Sequence, residues 1–297
     1  MSRLKEEPHV YRTGEERSKA LRKLMSEKTV ALPGAVNPLA ARMIERHGFD
    51  AMYLSGAVLA NSGYGVPDVG LTTLTEAVDH ARRIAAVSSL PIISDADTGF
   101  GSSAENAARC VQEFEKAGAS GIHLEDQDFP KRCGHLGGKS IVPTAEFVER
   151  VAAAAAARRD KNFLIIARTD ARGVTSYDDA VARANAYLKA GADAIFPEAL
   201  QDREEFARFA KDVKAPLLAN MTEFGKTPFL SVAEFAAFDA APGCGYRLVI
   251  FPVTLQRVAM RAMEKALAAI RESGTQKSVV DQMQTRQELY DLLGYKP

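Results

Sequence analysis

Lys116-Ala117-Gly118-Ala119-Ser120-Gly121-Ile122 returns as Lys189-Ala190-Gly191-Ala192-Asp193-Ala194-Ile195, and more distantly as Arg46-His47-Gly48-Phe49-Asp50-Ala51-Met52. Each copy carries a basic residue where it complements the C-terminal end of a helix dipole. Glycine then supplies the left-handed residue that stops the helix, and a short apolar strand follows. Each copy is therefore a helix-to-strand joint. Two further strands open on proline, Pro91-Ile92-Ile93-Ser94 and Pro216-Leu217-Leu218-Ala219. Proline is tolerated at a strand's first residue and ends whatever helix came before.

Outward from these joints, apolar runs predict eight buried strands, over 30–34, 51–54, 91–95, 121–125, 163–168, 194–197, 216–220 and 247–251. Ala-rich helical stretches lie between them, over 104–117, 144–158, 177–190 and 203–213. Strands alternating with helices imply parallel pairing with both faces covered. Eight such units in about 250 residues predict an α/β fold of the (β/α)₈ TIM-barrel type. No GxGxxG follows the first strand, so an open dinucleotide-binding sheet loses its main support.

The reading gives one barrel domain over 1–297, with an N-terminal helical extension (1–28) and a C-terminal helical tail (274–297). The extension contains a predicted helix over 14–26. After the eighth strand come a long helix over 255–272 and a second helical stretch over 277–293, one more than a barrel needs. Val279, Val280, Met283, Leu289 and Leu292 give that tail an apolar face suited to a neighbouring subunit.

Composition narrows the partners. Lys and Arg total 38 against 38 Asp and Glu, and no basic stripe is visible, so neither nucleic acid nor an anionic membrane is expected. Three widely spaced cysteines (Cys110, Cys133, Cys244) form no metal-ligand spacing and suit a reducing compartment. The charged N-terminus has no signal-peptide core, and no apolar run approaches the ~20 residues of a membrane span. A cytoplasmic enzyme with a small-molecule substrate is the expectation.

Barrel enzymes work at the C-terminal ends of their strands. Here those ends carry Tyr53 and Ser55, Asp95 and Asp97, His123 and Glu125, Arg168, Glu198, and Asn220 and Thr222. A purely structural barrel has no need of ionisable groups at nearly every strand end. In Asp95-Ala96-Asp97-Thr98-Gly99-Phe100-Gly101 the two aspartates are two apart, which on an extended strand points both to one face. With Glu125 next door, three carboxylates crowd together, and all-oxygen ligation suggests Mg²⁺, or Mn²⁺. The competing reading is a turn whose carboxylates cap backbone amides. Arg168 suits a substrate carboxylate through forked hydrogen bonds, or an internal ion pair with Glu198 or Glu125. His123 is a core residue or a ligand contact, while His9, His47 and His80 read as surface residues. The stretch 64–68, Tyr-Gly-Val-Pro-Asp, is long for a strand–helix connection and is placed to lie over the site.

Lys131-Arg132-Cys133-Gly134-His135 holds a thiol between cations and near an imidazole, a setting that favours the thiolate. Together with 95–101 and Leu124-Glu125-Asp126-Gln127, it resembles the isocitrate lyase and phosphoenolpyruvate mutase superfamily, and the cysteine marks the lyase branch. Ala167-Arg168-Thr169-Asp170-Ala171, Phe196-Pro197-Glu198-Ala199 and Asn220-Met221-Thr222-Glu223-Phe224-Gly225 extend the resemblance, which runs from about Leu32 to Tyr290.

The resemblance implies Mg²⁺ held at Asp95 and Asp97 mostly through water, with Glu125 beside them. It implies substrate contacts from Ser55, Gly56, Ala57, Cys133, Gly134, Arg168, Glu198, Asn220, Thr222, Arg257 and Arg286, although Ala57 stands where many members have a second glycine. It also implies a homotetramer that exchanges C-terminal helices. The implied reaction is retro-aldol cleavage of (2S,3R)-2-methylisocitrate to pyruvate and succinate, in propionate breakdown through a methylcitrate cycle. Cys133 is the expected general acid, assisted by Lys131, Arg132 and His135. Tyr53, Asp68 and a metal-bound group are the candidate bases. Isocitrate cleavage, a carbon–carbon hydrolase, a phosphonate mutase and a catalytically silent scaffold are the competing readings.

Overall fold

The computed structural model describes residues 12–132, 138–225, 227–238 and 240–295. Eight strands alternate with helices: β1 (Val30–Pro33), β2 (Met52–Leu54), β3 (Ile92–Asp95), β4 (Gly121–Glu125), β5 (Leu164–Thr169), β6 (Ala194–Pro197), β7 (Pro216–Asn220) and β8 (Gly245–Phe251). All pair in parallel in the order β1-β8-β7-β6-β5-β4-β3-β2. A single bridge between Gly34 and Tyr53 brings β1 against β2 and nearly closes the barrel. At that rim a Cβ on Gly34 would stand 2.1 Å from the Pro252 carbonyl oxygen, so the chain can close only around a glycine there.

The helices are α1 (Gly14–Glu27), α2 (Pro38–Arg46), α3 (Gly56–Val58, continued by a π-helical turn Leu59–Tyr64), α4 (Leu74–Ala85), α5 (Ala104–Ala117) and α6 (Thr144–Ala157). After them come α7 (Ala171–Val174), α8 (Tyr177–Lys189), α9 (Arg203–Asp212), α10 (Val232–Ala236), α11 (Thr254–Ser273) and α12 (Arg286–Leu293). The glycine joints act as expected: Gly118 takes φ 87° after α5, Gly191 φ 111° after α8, and Gly48 φ 77° after α2.

Two apolar layers follow from the strand period of two. Outward residues such as Ile165 and Ala167 pack under the helices. Inward residues, among them Val30, Leu32, Ala51, Ile93, Leu164, Ile166, Ala194, Leu218 and Leu248, fill the barrel. Leu21 and Met25 of α1 join the inner cluster and stopper its N-terminal end. The 3 %-exposed Arg17 secures that stopper by donating to the carbonyls of Ala85 and Ser88, each at 2.6 Å.

The predicted second tail helix is not continuous. Gly274, at φ 68°, ends α11, a 3₁₀ stretch spans Lys277–Gln282, and Met283 is extended. Thr285 then starts α12 afresh: its hydroxyl accepts from the Glu288 amide, and the Glu288 carboxylate accepts from the Thr285 amide. The Ser/Thr-x-x-Glu signature was present in the sequence, but the apolar spacing across it masked the break.

Candidate active site

The inward rows of the barrel run directly into the site. Ala51 leads to Tyr53 and Ser55, Ile93 to Asp95, His123 to Glu125, Ile166 to Arg168, Ala194 to Phe196 and Glu198, and Leu218 to Asn220, each in steps of two. Apolar residues occupy the barrel's middle, and the next inward position at the C-terminal rim turns polar. A cavity of about 1180 Å³ opens over that rim. It is lined by Tyr53, Ser55, Ala57, Asp68, Asp95, Glu125, Lys131, Arg132, Arg168, Glu198, Asn220, Thr222 and Arg257, among others. The 64–68 stretch reaches the cavity with its last two residues, Pro67 and Asp68, followed by Val69.

Asp95 and Asp97 do not meet by strand alternation. The strand ends at Asp95, and Asp97 sits in a turn at φ 47°, a left-handed conformation that aspartate tolerates better than most residues. The amide-capping reading of this segment is realised at Asp95. Asp95 caps amides, its Oδ1 accepting from Asp97 N at 3.1 Å and its Oδ2 from Gly56 N at 3.0 Å. A Cβ on Gly56 would come within 2.8 Å of that Oδ2, so glycine permits the contact. Asp97 Oδ1 is buried and pairs with Lys131 Nζ at 2.8 Å. The Lys131 ammonium also pairs with Asp68.

Burial pushes the Asp97 carboxyl up to about 6 despite Lys131. Burial also opposes the Asp95 charge, yet Lys131, Arg168 and the Asp97 amide keep that carboxyl below its ordinary value. Glu125 is pushed well above the carboxylate range by burial, and further by Asp170 and Asp97, against the pull of Arg168. Its Oε1 is buried and unpartnered. Among the described residues no three ligating side chains form a ready-made metal cluster. The unpartnered Glu125 Oε1, with the buried carboxylates of Asp95 and Asp97 nearby, nonetheless fits a hard cation that keeps most of its waters.

Tyr53 donates or accepts at 2.7 Å with His123 Nε2. Burial, with Asp95 next in weight, raises the Tyr53 phenol well above its ordinary value, so it stays neutral and does not suit the role of base. Burial lowers His123 to about 4, which leaves a neutral ring in the core against Phe196. Arg168 realises the internal pairing: Nη1 lies 3.3 Å from Glu125 and Nη2 3.4 Å from Glu198. It also forks onto Asp170, through Nε at 2.9 Å and Nη2 at 3.1 Å.

Asn220 reaches Glu198 at 3.4 Å, and Thr222 is buried beside them. Arg257 stands 3.6 Å from Glu223, with its guanidinium over the Phe224 ring. Arg286 is exposed on α12 and does not line the cavity of its own chain. Cys133, Gly134, His135 and also His9 lie outside the described residues.

One surface assignment is overturned. His80 is half-buried, its Nε2 has no partner, and it lines a small hollow with Ser55, Asp95 and Asp97; burial lowers its pKa. Helix α4 packs inward at that position, which spacing in a charged stretch concealed. Asp126, Lys139 and Asp170 were missed as part of the site. The signals for Asp126 and Asp170 were the second acid in Glu125-Asp126 and the acid two places after Arg168, while Lys139 carried none.

A family model described as phosphoenolpyruvate phosphomutase matches residues 21–271. The chain belongs to the phosphoenolpyruvate phosphomutase family. Within reach of this family, the chain is 51 % identical over 276 residues to a 2-methylisocitrate lyase of Aeropyrum pernix, covering 93 % of this chain and 86 % of the relative. Among solved structures, oxaloacetate acetylhydrolase bound to 3,3-difluorooxalacetate superposes with a TM-score of 0.88 at 32 % identity, covering 95 % of each chain. Phosphonopyruvate hydrolase in complex with oxalate and Mg²⁺ superposes with a TM-score of 0.82 at 33 % identity, covering 94 % of this chain and 95 % of that one. Among the described residues no helix is long and apolar enough to cross a membrane.

Proposed function

We propose that this family member is a carbon–carbon lyase that cleaves 2-methylisocitrate to pyruvate and succinate. The observation that carries the reading is the strand-end cavity, where Arg168 and Lys131 stand among carboxylates, in a chain 51 % identical to a 2-methylisocitrate lyase. A tricarboxylate needs fixed cations, and a cleaved carbon–carbon bond needs a base at one end and an acid at the other.

Asp68 is the base this geometry favours, because it lies on the cavity wall and Tyr53 is held neutral. It removes the C2 hydroxyl proton. The C2–C3 bond then breaks: C2 becomes the carbonyl carbon of pyruvate, and the electron pair stays with C3 as the enediolate-like dianion of succinate. Lys131 is a preorganised cation for the developing charge, and Arg168 holds a substrate carboxylate throughout. The Cys133 thiol gives its proton to C3, and the thiolate is reprotonated from solvent. Asp95 and Asp97, with Glu125, would hold Mg²⁺, most of its shell being water. When bound, Mg²⁺ supplies Lewis-acid stabilisation of oxygen charge at the carbonyl side.

The test is pyruvate release from 2-methylisocitrate with and without Mg²⁺, against isocitrate, oxaloacetate and phosphonopyruvate. Metal-dependent turnover of the first substrate is expected, with isocitrate slower by about 10- to 200-fold, since one methyl discriminates only that far. Turnover of oxaloacetate in place of 2-methylisocitrate would transfer the assignment to a hydrolase.

The reading includes a homotetramer. No residue of the 20-residue α11 is buried, and Val258 and Leu267 are both 66 % exposed. So much apolar surface on one long helix suits a second copy of the chain, with C-terminal helices exchanged. Arg286 is then a contact to a neighbour's cavity. Paired Val258→Glu and Leu267→Glu substitutions are expected to give monomers in sedimentation velocity, where the unmodified chain gives tetramers. A variant that still sediments as a tetramer places the interface elsewhere.

A further inference from the structure

Arg168 ends β5 at the cavity wall, and its guanidinium needs an aim as well as a charge. Its Nη1 and Nη2 ends reach Glu125 and Glu198, two residues of the cavity wall, while the Nε–Nη2 edge is turned onto Asp170. Asp170 is fully buried and does not line the cavity. Both of its oxygens are engaged: Oδ2 takes Arg168 Nε, and Oδ1 takes Arg168 Nη2 and Lys139 Nζ at 2.5 Å.

Asp170 is itself fixed from behind. Its amide donates to Asp126 Oδ1 at 2.9 Å, and Asp126 Oδ2 accepts from Thr169 Oγ1, Tyr187 OH and Arg183 Nη1. Asp126 is also fully buried. Two buried acids in series thus anchor one arginine, a costly arrangement unless the orientation it secures is used.

We propose that Asp170 is a positioning residue that sets the direction of the Arg168 guanidinium toward a substrate carboxylate. This rests on the tricarboxylate reading above. The fork fixes one edge of the guanidinium and thereby the direction of the cavity-side edge, where a substrate carboxylate would compete with Glu125 and Glu198 for Nη1 and Nη2. Lys139 balances the charge of Asp170, so the aspartate can stay ionised out of water. A carboxylate bound by Arg168 is present in both the ground and transition states, so misaiming the guanidinium weakens binding more than turnover.

Asp170→Asn tests this, because it removes the charge and leaves one acceptor oxygen where Nε and Nη2 each had their own, while the amide NH₂ opposes a donor. KM for 2-methylisocitrate is expected to rise about 10- to 100-fold, with kcat within about 3-fold. Arg168→Lys should raise KM similarly, and the double variant should be no worse than Arg168→Lys within about 3-fold, since Asp170 acts through Arg168. A loss confined to kcat with KM unchanged, or multiplying effects in the double variant, would overturn the assignment as merely structural. If Asp170→Asn does not fold, Asp170→Glu serves: it keeps the charge but displaces it, and a KM within about 2-fold of the unmodified protein counts against the proposal. If the unmodified protein leaves 2-methylisocitrate intact, the functional reading has failed. The same variants are then compared for oxalate binding with Mg²⁺ by calorimetry. At least tenfold weaker binding in Asp170→Asn upholds the positioning role, and equal binding, or none by any form, overturns it.

Discussion

Replacing Cys133 by serine should lower kcat for 2-methylisocitrate by about 10²–10⁴-fold, the range a positioned general acid supplies. The change is nearly isosteric, so KM should move less than about 3-fold. Serine's hydroxyl is a far weaker acid than a thiol and cannot give up its proton readily near neutral pH. The cations Lys131 and Arg132 precede the residue and favour the thiolate left after transfer. The variant should still bind succinate, which calorimetry reads independently of turnover. A serine variant keeping a tenth or more of the unmodified kcat would remove Cys133 from the proton-transfer step.

Asp97→Asn should abolish Mg²⁺-dependent turnover, lowering kcat/KM by about 10³-fold or more. Losing a metal's stabilisation of oxygen charge is worth several kcal/mol, and each 1.4 kcal/mol is tenfold. Asparagine tolerates the left-handed backbone at this position as well as aspartate does, so the substitution removes charge without disturbing the turn. It also frees Lys131 from one of its two carboxylates. Ligand binding stabilises a fold by mass action, so Mg²⁺ should raise the thermal midpoint of the unmodified protein and leave that of the variant unmoved. An equal Mg²⁺-induced shift in both proteins would place the metal away from Asp97.

The barrel was legible because its signals are local. A helix stop such as Lys116-Ala117-Gly118 needs only the next few residues to be read, and the structure ends α5 at Ala117 and starts β4 at Gly121. Strand ends were legible in the same way, and with them Arg168, Glu125 and Glu198 as candidates. The same local logic misled where a turn intervened. Asp95 and Asp97 were brought together by a left-handed residue, not by a shared strand face, and α12 restarted at a capping box inside an apolar run.

Residue spacing determined which side chains could face the barrel's polar rim, since a strand's period is set by backbone sterics alone. It did not determine which groups pair once they arrive there. Asp170 could be noticed two places after Arg168, but its commitment to Arg168 and Lys139 depends on β4, β5 and the connection between β4 and α6 folding against each other. His80 turned inward for the same reason. Charge pairing and burial are long-range quantities: they depend on which low-dielectric surfaces close around a group, and the folded packing alone supplies those surfaces.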